Sequence, residues 1–248
     1  MNPEICVVIP TLNEAQTIAD VLRGVRPFCR RVLVIDGGSG DETQNIVRAL
    51  MEDDSGIALE VFTSRGKGRA LRRALDIVQE RVTVFIDADG SHDPIDIPAL
   101  AAPVLSGAAD MVVASRWEGG SDELHGDLNK WIRRTGSRIL TILVNSRFQG
   151  QMTDIQNGFR AVSTKIGREI GLEADDFTIE QEMVMKFLGG NYRVVSVPSH
   201  EYARQGGEAK LNLRKVWFRF GIVVLNHLFG LSRPKTRRAR RRKKKSHL

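Results

Sequence analysis

Several sequence signatures that identify cofactor or metal sites are missing from this chain of 248 residues. Its only cysteines, Cys6 and Cys29, provide neither a disulfide framework nor the spacing of a structural zinc site. No G-x-G-x-x-G motif follows the first predicted strand, so a nicotinamide or flavin cofactor is not expected. A P-loop is excluded because no G-x-x-x-x-G-K segment followed by Ser or Thr occurs.

The sequence also lacks an apolar run long enough to span a membrane. Residues 217–231 form an apolar segment of only 15 residues, interrupted by Arg219, Asn226 and His227. A membrane span needs about 20 mostly apolar residues. Two interpretations of this segment stay open, a terminal helix docked on the core and an amphipathic segment lying in a membrane interface. The first residues show no signal peptide, so we expect a cytoplasmic location.

Acidic residues are absent from the C-terminal end of the chain. Residues 233–248 carry ten Lys and Arg, and subtracting these from the net charge of +7 leaves −3 for the rest. So dense a block of like charge predicts a disordered interaction tail. The remaining chain is slightly acidic and lacks the aromatic–basic interleaving of a nucleic-acid fold, so no specific nucleic acid partner is expected.

Short apolar segments alternate with amphipathic helical patterns through the first half of the chain. Strands are predicted at residues 5–9, 32–35, 57–62, 82–86 and 111–114. Later segments are predicted as a helix near 128–144, an irregular polar stretch at 151–163, a helix at 178–188 and a strand at 194–197. The alternation predicts an α/β domain with a mainly parallel sheet that carries helices on both faces.

Two carboxylates, Asp87 and Asp89, directly follow the fourth predicted strand. Side chains two residues apart leave an extended chain on the same side, so both can point to one place. Adjacent carboxylates repel each other unless a cation lies between them, and ligands bind at the carboxyl ends of strands in open α/β sheets. The pattern predicts a divalent metal site, with an ordinary polar loop as the alternative.

Further acidic residues stand at other strand ends. Glu14 and Asp36 are suited to accept hydrogen bonds from the hydroxyl and N–H groups of a sugar or base. Asp36 and Asp41 are also typical turn formers or helix caps. His92 and Asp93 are alternatively a helix-start pattern before Pro94 rather than metal ligands.

These motifs resemble a known family. The segments PTLNE (10–14), VIDGGSGDET (34–43) and DAD (87–89) are similar to the nucleotide-sugar half of the family 2 GT-A glycosyltransferases. The segments ASR (114–116), NGFRA (157–161), EQE (180–182) and residues 197–211 resemble the dolichol-phosphate mannose synthase and polyprenyl-phosphate hexosyltransferase branch. The resemblance covers residues 4–213. It implies a GT-A domain at 1–213, an amphipathic segment at 214–232 and a polybasic tail at 233–248.

The resemblance also implies roles for individual residues. The nucleoside pocket would be lined by Pro10, Asn13, Glu14 and Asp36. Mg²⁺ or Mn²⁺ would be held against the donor diphosphate by Asp87 and Asp89. Phosphates would be bound by Ser115, Arg116, Arg160, Arg204 and Lys210, and catalysis would rest on Asp89, Arg116, Arg204 and Lys210. Apart from the resemblance, the position of Lys67 between two glycines indicates a flexible side chain that can contact a diphosphate, with an ordinary surface lysine as the alternative. Glu180 and Glu182, two apart on a helix, face different ways, and we expect Glu182 to point to the site.

The chain departs from the family pattern at two positions. Gly37 stands where the family often has a second aspartate, and Ser91 stands where the synthases often have a metal-site glutamine. Because of Gly37, the nucleobase that the site prefers stays open. Because of Ser91, it also stays open whether Ser91 or Asp93 completes the metal site.

The expected reaction is an inverting transfer of a hexose from a nucleotide diphosphate sugar, of the GDP-mannose or UDP-glucose type, to a polyprenyl monophosphate. Such a phosphate is already a nucleophile at pH 7, since its second pKa is about 6, whereas an alcohol acceptor needs a general base. Residues 214–248 would then anchor the chain peripherally to the inner face of the membrane through apolar insertion and attraction to anionic lipid.

Two alternatives remain. The first is a soluble GT-A enzyme that acts on a small alcohol or a phosphorylated acid, with Asp93 or Glu182 as candidate base. The second is a binding protein that uses the basic tail and has a decayed catalytic domain, and the intact Asp87-Ala88-Asp89 sequence argues against it.

Overall fold

The computed structural model describes residues 1–64, 66–122 and 128–206, and of residues 128–134 the helical backbone alone. Lys210, the segment 214–232 and the tail 233–248 lie outside the described residues. Within this part of the chain, no helix combines the length and the apolar character needed to cross a membrane.

The described strands form one mixed sheet. They are β1 (Asn2–Thr11), β2 (Cys29–Asp36), β3 (Ile57–Val61), β4 (Val82–Phe85), β5 (Met111–Ser115), β6 (Arg160–Ser163) and β7 (Val194–Pro198). Their order across the sheet is β3-β2-β1-β4-β6-β5-β7. β6 is antiparallel to both of its neighbours, and every other pairing is parallel. The predicted α/β class with a mainly parallel sheet is therefore confirmed.

Helices cover both faces of the sheet. They are α1 (Ile18–Val25), α2 (Thr43–Asp53), α3 (Lys67–Ile77), α4 (Ile97–Leu105), α5 (Arg116–Gly119), α6 (Leu128–Phe148), α7 (Thr164–Glu169) and α8 (Ile179–Gly189). Strand β1 shows why two layers form, because Val7 and Ile9 belong to the core under α1 and α4, while Cys6 and Val8 belong to the core under α3 and α8. A strand that is apolar on both sides is typical of a buried parallel sheet.

The prediction of an irregular stretch at 151–163 is wrong at its end. Residues 160–163 form β6, whose Ala161 pairs with Val84 of β4 and Val112 of β5. This strand is four residues long and begins with an arginine, so its own sequence has no strand pattern. Its burial results from pairing with neighbours that are distant in the sequence.

The parallel strands β1, β2 and β4 bring their carboxyl ends to one edge of the sheet. Thr11 at the end of β1 pairs with Asp36 at the end of β2, and Val8 pairs with Phe85 at the end of β4. Asp87 and Asp89 follow β4 directly, so the topology places them beside the ends of β1 and β2.

Candidate active site

A cavity of about 250 Å³ opens at this edge of the sheet. Of the residues predicted to form the site, those that line it are Pro10, Glu14, Lys67, Asp87, Asp89 and Arg204. The cavity therefore combines three carboxylates with two cations. As predicted from the sequence, these groups lie together, although they come from four separate segments of the chain.

Asp87 is paired with Lys67 at the bottom of the site. The Lys67 Nζ lies 2.6 Å from Asp87 Oδ1 and 2.6 Å from Glu180 Oε1, so one ammonium bridges two carboxylates. Burial alone would raise the pKa of Asp87, but the charge and hydrogen bond of Lys67, together with the charges of His92 and Arg204, hold the pKa below its usual value. Burial opposes the charge of Lys67, yet the two carboxylates raise its pKa above the ordinary value.

Two backbone features place Lys67 where it can reach Asp87. Lys67 is the first residue of α3, and the Gly68 N–H donates to the Asp175 carbonyl at 3.0 Å, which fixes the start of the helix. Gly158 packs directly against the ion pair, since a Cβ at this position would lie 2.6 Å from Asp87 Oδ2 and 2.9 Å from Lys67 Nζ. The Asn157-Gly158 pair is thus more than a turn, because the glycine leaves the space that the ion pair occupies.

Asp89 is held by the loop that follows it and by the C-terminal strap, which we define as residues 199–206. Its Oδ1 accepts hydrogen bonds from the backbone N–H and hydroxyl of Ser91, and its Oδ2 lies 2.9 Å from the Arg204 guanidinium. Backbone bonds from Tyr202 N to Ser91 O at 2.8 Å and from Gln205 N to Asp89 O at 3.1 Å fasten the strap to the same loop.

Ser91 and Asp93, which the sequence left as alternatives, lie in different surroundings. The buried Ser91 hydroxyl donates to Asp89, so Ser91 orients that carboxylate. Asp93 Oδ1 accepts the Ile95 N–H at 2.9 Å and caps the turn at Pro94–Asp96. The interpretation of Asp93 as a helix-start residue is confirmed.

His92 is buried next to these carboxylates. Its ring lies 5.2 Å from that of Phe159, and its Nδ1 has no hydrogen-bond partner among the described residues. Burial lowers the pKa of the imidazole, and the negative charges of Asp87 and Glu201 oppose this shift.

Asp36 is completely buried and organises the turn after β2. Its carboxylate accepts hydrogen bonds from the backbone N–H groups of Gly38 and Ser39, from the Ser39 hydroxyl, from the Gln44 amide and from the Thr11 hydroxyl. The interpretation of Asp36 as a turn former is therefore confirmed. Asp36 shapes the side of the cavity formed by Thr11 and Gly37.

Asn13 and Asp41 tie the same turn to the loop after β1. Asn13 has a positive φ of 55° and its Oδ1 accepts the Gly40 N–H at 2.8 Å. Asp41 accepts the hydroxyl and N–H of Thr43 and the N–H of Ala15, and these bonds lower its pKa against the opposing effect of burial. The interpretation of Asp41 as a turn former is confirmed.

Two residues expected to bind phosphate do not face the cavity. Arg160 is fully buried, and its guanidinium donates to the backbone carbonyls of Asn157 and Glu180. Burial also lowers its pKa. Ser115 is fully buried and accepts the Thr153 hydroxyl at 2.8 Å. Both expectations are wrong because β5 and β6 lie inside the sheet, where these side chains are enclosed.

Arg116 is placed in a network beside the cavity. Its guanidinium binds both oxygens of the buried Asp154, at 2.6 and 3.1 Å, and lies 3.5 Å from Glu201 of the strap. Burial would lower the pKa of Arg116, but these carboxylates raise it, and Arg116 in turn lowers the pKa of Asp154 against the effect of burial. The pattern that identified Arg116 gave no indication of Asp154 or Glu201 as its partners.

The preference for Glu182 over Glu180 is wrong. Glu180 binds Lys67, as described above, whereas Glu182 accepts the N–H groups of Glu173 and Ala174 and pairs with Lys186 at 2.7 Å. The expectation that only one of the two faces the site is correct. Helical spacing separates their directions, but only the packing of α8 against α3 decides which one reaches the site.

The described residues contain no cluster of three or more His, Cys, Asp or Glu side chains placed to hold a metal ion. Asp87 and Asp89 nevertheless fit a metal that is bound together with its substrate, since Mg²⁺ is usually held by one or two carboxylates plus substrate phosphates and waters. The cavity gives room for such phosphates beside both carboxylates.

Sequence comparison assigns the chain to a family. The model for glycosyl transferase family 2 matches residues 6–171. Glycosyltransferase AglJ of Haloferax volcanii is 32% identical over 205 residues, which cover 82% of this chain and 64% of AglJ. The polyprenol monophosphomannose synthase of Mycolicibacterium smegmatis is 29% identical over 228 residues, which cover 86% of this chain and 84% of the synthase.

Structural comparison identifies the fold. The glucosyl-3-phosphoglycerate synthase of Mycobacterium tuberculosis, solved with Mn²⁺, UDP and glucosyl-3-phosphoglycerate, aligns with a TM-score of 0.70 at 23% identity, covering 92% of this chain and 81% of that one. The same enzyme with Mg²⁺ and UDP aligns with a TM-score of 0.71 at 22% identity, covering 92% of this chain and 80% of that one. The expected GT-A fold is confirmed, and the chain belongs to glycosyl transferase family 2.

Proposed function

We propose that this protein transfers a hexose from a nucleotide diphosphate sugar to a polyprenyl monophosphate, with inversion at C1 of the sugar. The observation that carries this proposal is the cavity at the carboxyl ends of β1, β2 and β4. It brings Asp87 and Asp89 together with Lys67 and Arg204 in a chain of glycosyl transferase family 2.

The donor diphosphate is the group that this set of charges suits. Asp87 and Asp89 would hold Mg²⁺ or Mn²⁺, which when bound would neutralise charge on the leaving diphosphate. Support comes from the structural neighbours that contain Mn²⁺ or Mg²⁺ together with UDP. Lys67 and Arg204 each lie within 3 Å of one of these carboxylates, and we assign them to the diphosphate oxygens. Pro10 and Glu14 would line the nucleoside side of the cavity.

The acceptor is inferred from the absence of a suitable base at the two positions considered for an alcohol acceptor. Asp93 caps its own turn, and Glu182 is bound to Lys186 and to two backbone N–H groups. A phosphate monoester needs no base because it is ionised near pH 7. Its oxygen forms the new bond to C1 while the bond from C1 to the donor phosphate breaks, and the nucleoside diphosphate leaves with the electron pair.

A sequence relative supports the same acceptor class. The mycobacterial polyprenol monophosphomannose synthase matches 86% of this chain. We infer that Arg116 and Lys210 complete the cationic surroundings of the two phosphates, Arg116 from its network with Asp154 and Glu201. Residues 214–248 would bring the enzyme to the inner face of the membrane, where a polyprenyl phosphate is found.

A panel of donors tests the proposal. Radiolabelled GDP-mannose, UDP-glucose and related donors are offered with a polyprenyl phosphate and Mg²⁺ or Mn²⁺, and label is counted in the organic phase. We expect one donor to transfer its label. Label that moves instead to phosphoglycerate or a small alcohol in the aqueous phase would support the soluble alternative. No transfer from any donor by folded protein would overturn the proposal.

A further inference from the structure

Helix α6 has an exposed apolar face that the proposed reaction does not use. The side chains of Ile139, Ile142 and Leu143 are 52%, 59% and 41% exposed. On the opposite side of the same helix, Leu140 and Val144 are buried in the core under α3 and α8. The helix is therefore apolar on two sides, although one buried side is enough to attach it to the domain.

The charge of α6 is of one sign. Its 21 residues contain Lys130, Arg133, Arg134, Arg138 and Arg147, and no acidic residue. Arg138 and Arg147 are exposed and lie one position before and four positions after the apolar group of Ile139, Ile142 and Leu143. Three exposed apolar side chains between arginines form one continuous face, because residues three and four apart are neighbours on a helix.

A contact between α6 and α5 links this helix to the segment that carries Arg116. The Arg138 guanidinium lies 5.6 Å from the centroid of the Trp117 ring. Trp117 follows Arg116, which is bound to Asp154 and to Glu201 of the C-terminal strap. The Arg138 end of this face therefore contacts α5, the helix that begins with the proposed phosphate-binding Arg116.

We propose that the face of α6 formed by Arg138, Ile139, Ile142, Leu143 and Arg147 is a docking surface for an anionic lipid bilayer. Apolar side chains flanked by cations on an exposed helix are typical of helices that lie in a membrane interface, where the apolar group enters the headgroup region and the arginines meet lipid phosphates. The inference rests on the proposed function in one respect, since an acceptor carried by a lipid has to be met at a bilayer.

The charges on this face of α6 argue against a second copy of the chain and against a nucleic acid as its partner. A second copy of the chain would bring Arg138 and Arg147 against the same two arginines of its partner, and like charges repel each other. A nucleic acid would pair with the arginines and leave the apolar side chains in water. An anionic bilayer can take up the three apolar side chains and can also pair its phosphates with the two arginines.

A fluorescent label on the surface provides the first test. Cys6 and Cys29 are both buried, so the full chain carrying Ile142→Cys can be labelled selectively with an environment-sensitive dye. The control is Ile95→Cys, whose native side chain is 66% exposed on the side of the sheet that carries α1 and α4. We expect a blue shift with vesicles containing phosphatidylglycerol for the Ile142→Cys protein alone. No shift for that protein would overturn the proposal.

A second test measures binding. The full-length triple variant Ile139→Ser, Ile142→Ser, Leu143→Ser is compared with Ile95→Ser by cosedimentation with the same vesicles. High salt screens the attraction of the basic tail and leaves the apolar contribution. We expect the triple variant to lose binding at least about tenfold under these conditions and Ile95→Ser to bind like the unmodified chain.

Two results of this second test would contradict the proposal. One is undiminished vesicle binding by the triple variant with no change of oligomeric state in light scattering. The other is undiminished vesicle binding together with a loss of dimers, which would identify the face as a contact between copies of the chain. The vesicles contain no acceptor and no sugar nucleotide, so a failure here is distinguishable from a failure of hexose transfer.

Discussion

Lys67 is the residue on which the charge balance of the cavity depends most. It bridges Asp87 and Glu180 at 2.6 Å each, and its side chain is 10% exposed. When either Asp87 or Glu180 is removed, Lys67 keeps a single ion pair, with the carboxylate that remains. The two glutamates of α8 therefore differ in what their loss should do, although they are separated by a single residue.

We predict that Glu180→Gln mainly weakens ligand binding and that Glu182→Gln mainly weakens the fold. With Glu180 neutral, Lys67 keeps only Asp87 as a charged partner and competes more strongly for the carboxylate proposed to hold the metal. We expect metal–nucleotide affinity to fall about tenfold, as for the loss of one charge-assisted hydrogen bond, measured by calorimetry. Glu182→Gln leaves the buried Lys186 ammonium with the Gly171 carbonyl but without a carboxylate, and should cost about 3–5 kcal/mol of unfolding free energy.

The two measurements control each other because each variant serves as the matched control for the other. A weaker nucleotide affinity in folded Glu182→Gln than in Glu180→Gln would contradict the assignment of Glu180 to the site.

At this scale the sequence predicted the charged groups that line the cavity but not the surroundings of the side chains that are enclosed behind it. Asp87, Asp89 and Lys67 were identified because acids at strand ends and a lysine between glycines have a local pattern, and Arg204 was identified from the family resemblance. Arg160 was misjudged because the enclosure of its side chain depends on β6 pairing with two strands that are distant in sequence. No local pattern carries that information.

Among the secondary-structure elements, α5 is held by an ion pair that joins it to the loop before β6. Arg116 begins α5, and Asp154 is fully buried in that loop. Since the folded pKa of Asp154 lies below its ordinary value, ionised Asp154 stabilises the fold. This contribution is complete above its unfolded pKa of about 3.9 and is lost as the pH falls through the folded pKa.

Asp154→Asn should therefore destabilise the protein in a pH-dependent way. At pH 7 the variant leaves Arg116 with Glu201 alone, at 3.5 Å, and we expect a loss of about 3–5 kcal/mol in urea unfolding. The difference from the unmodified protein should shrink as the pH is lowered below about 4. A difference that stays constant from neutral to acidic pH would rule out the ionised pair as its origin.

The C-terminal strap is the second element that defines the site. Tyr202→Pro removes the N–H that donates to Ser91 O, next to Asp89. We expect KM for the donor to rise about tenfold in steady-state transfer assays, because the strap also carries Arg204 to Asp89. Tyr202→Phe keeps the N–H and the aromatic ring and should behave like the unmodified protein. Equal effects of both substitutions would argue against the backbone bond.

The order of elements was largely predictable, and the mixed character of the sheet was not. Five early strands were recognised from their β-branched, apolar composition, as in Val32-Leu33-Val34-Ile35. β6 was missed because four residues beginning with Arg160 show no alternation. The strap was recognised only as a polar stretch, since its contacts are backbone hydrogen bonds that no side-chain pattern predicts.

For the whole molecule, attachment to membranes stays a prediction that rests on sequence outside the described residues and on α6. Deleting residues 215–248 should strongly weaken flotation with anionic liposomes and leave only the contribution of α6, because ten cations contribute on the order of 1 kcal/mol each near such a surface. A tail with its Lys and Arg replaced by Gln, and with residues 214–232 retained, separates charge from apolar insertion. Flotation that survives the deletion unchanged would disprove the role of the tail.

The most direct test of the proposed function is hexose transfer into the organic phase by the unmodified protein, by Asp89→Ala and by Asp93→Asn. Asp93 caps its own turn and is the matched control. We expect transfer to require Mg²⁺ or Mn²⁺, to be removed by a chelator, and to fall on the order of a hundredfold or more in Asp89→Ala while Asp93→Asn stays active. Transfer that Asp89→Ala retains, or that the chelator leaves unchanged, would contradict a metal-held donor diphosphate at this cavity.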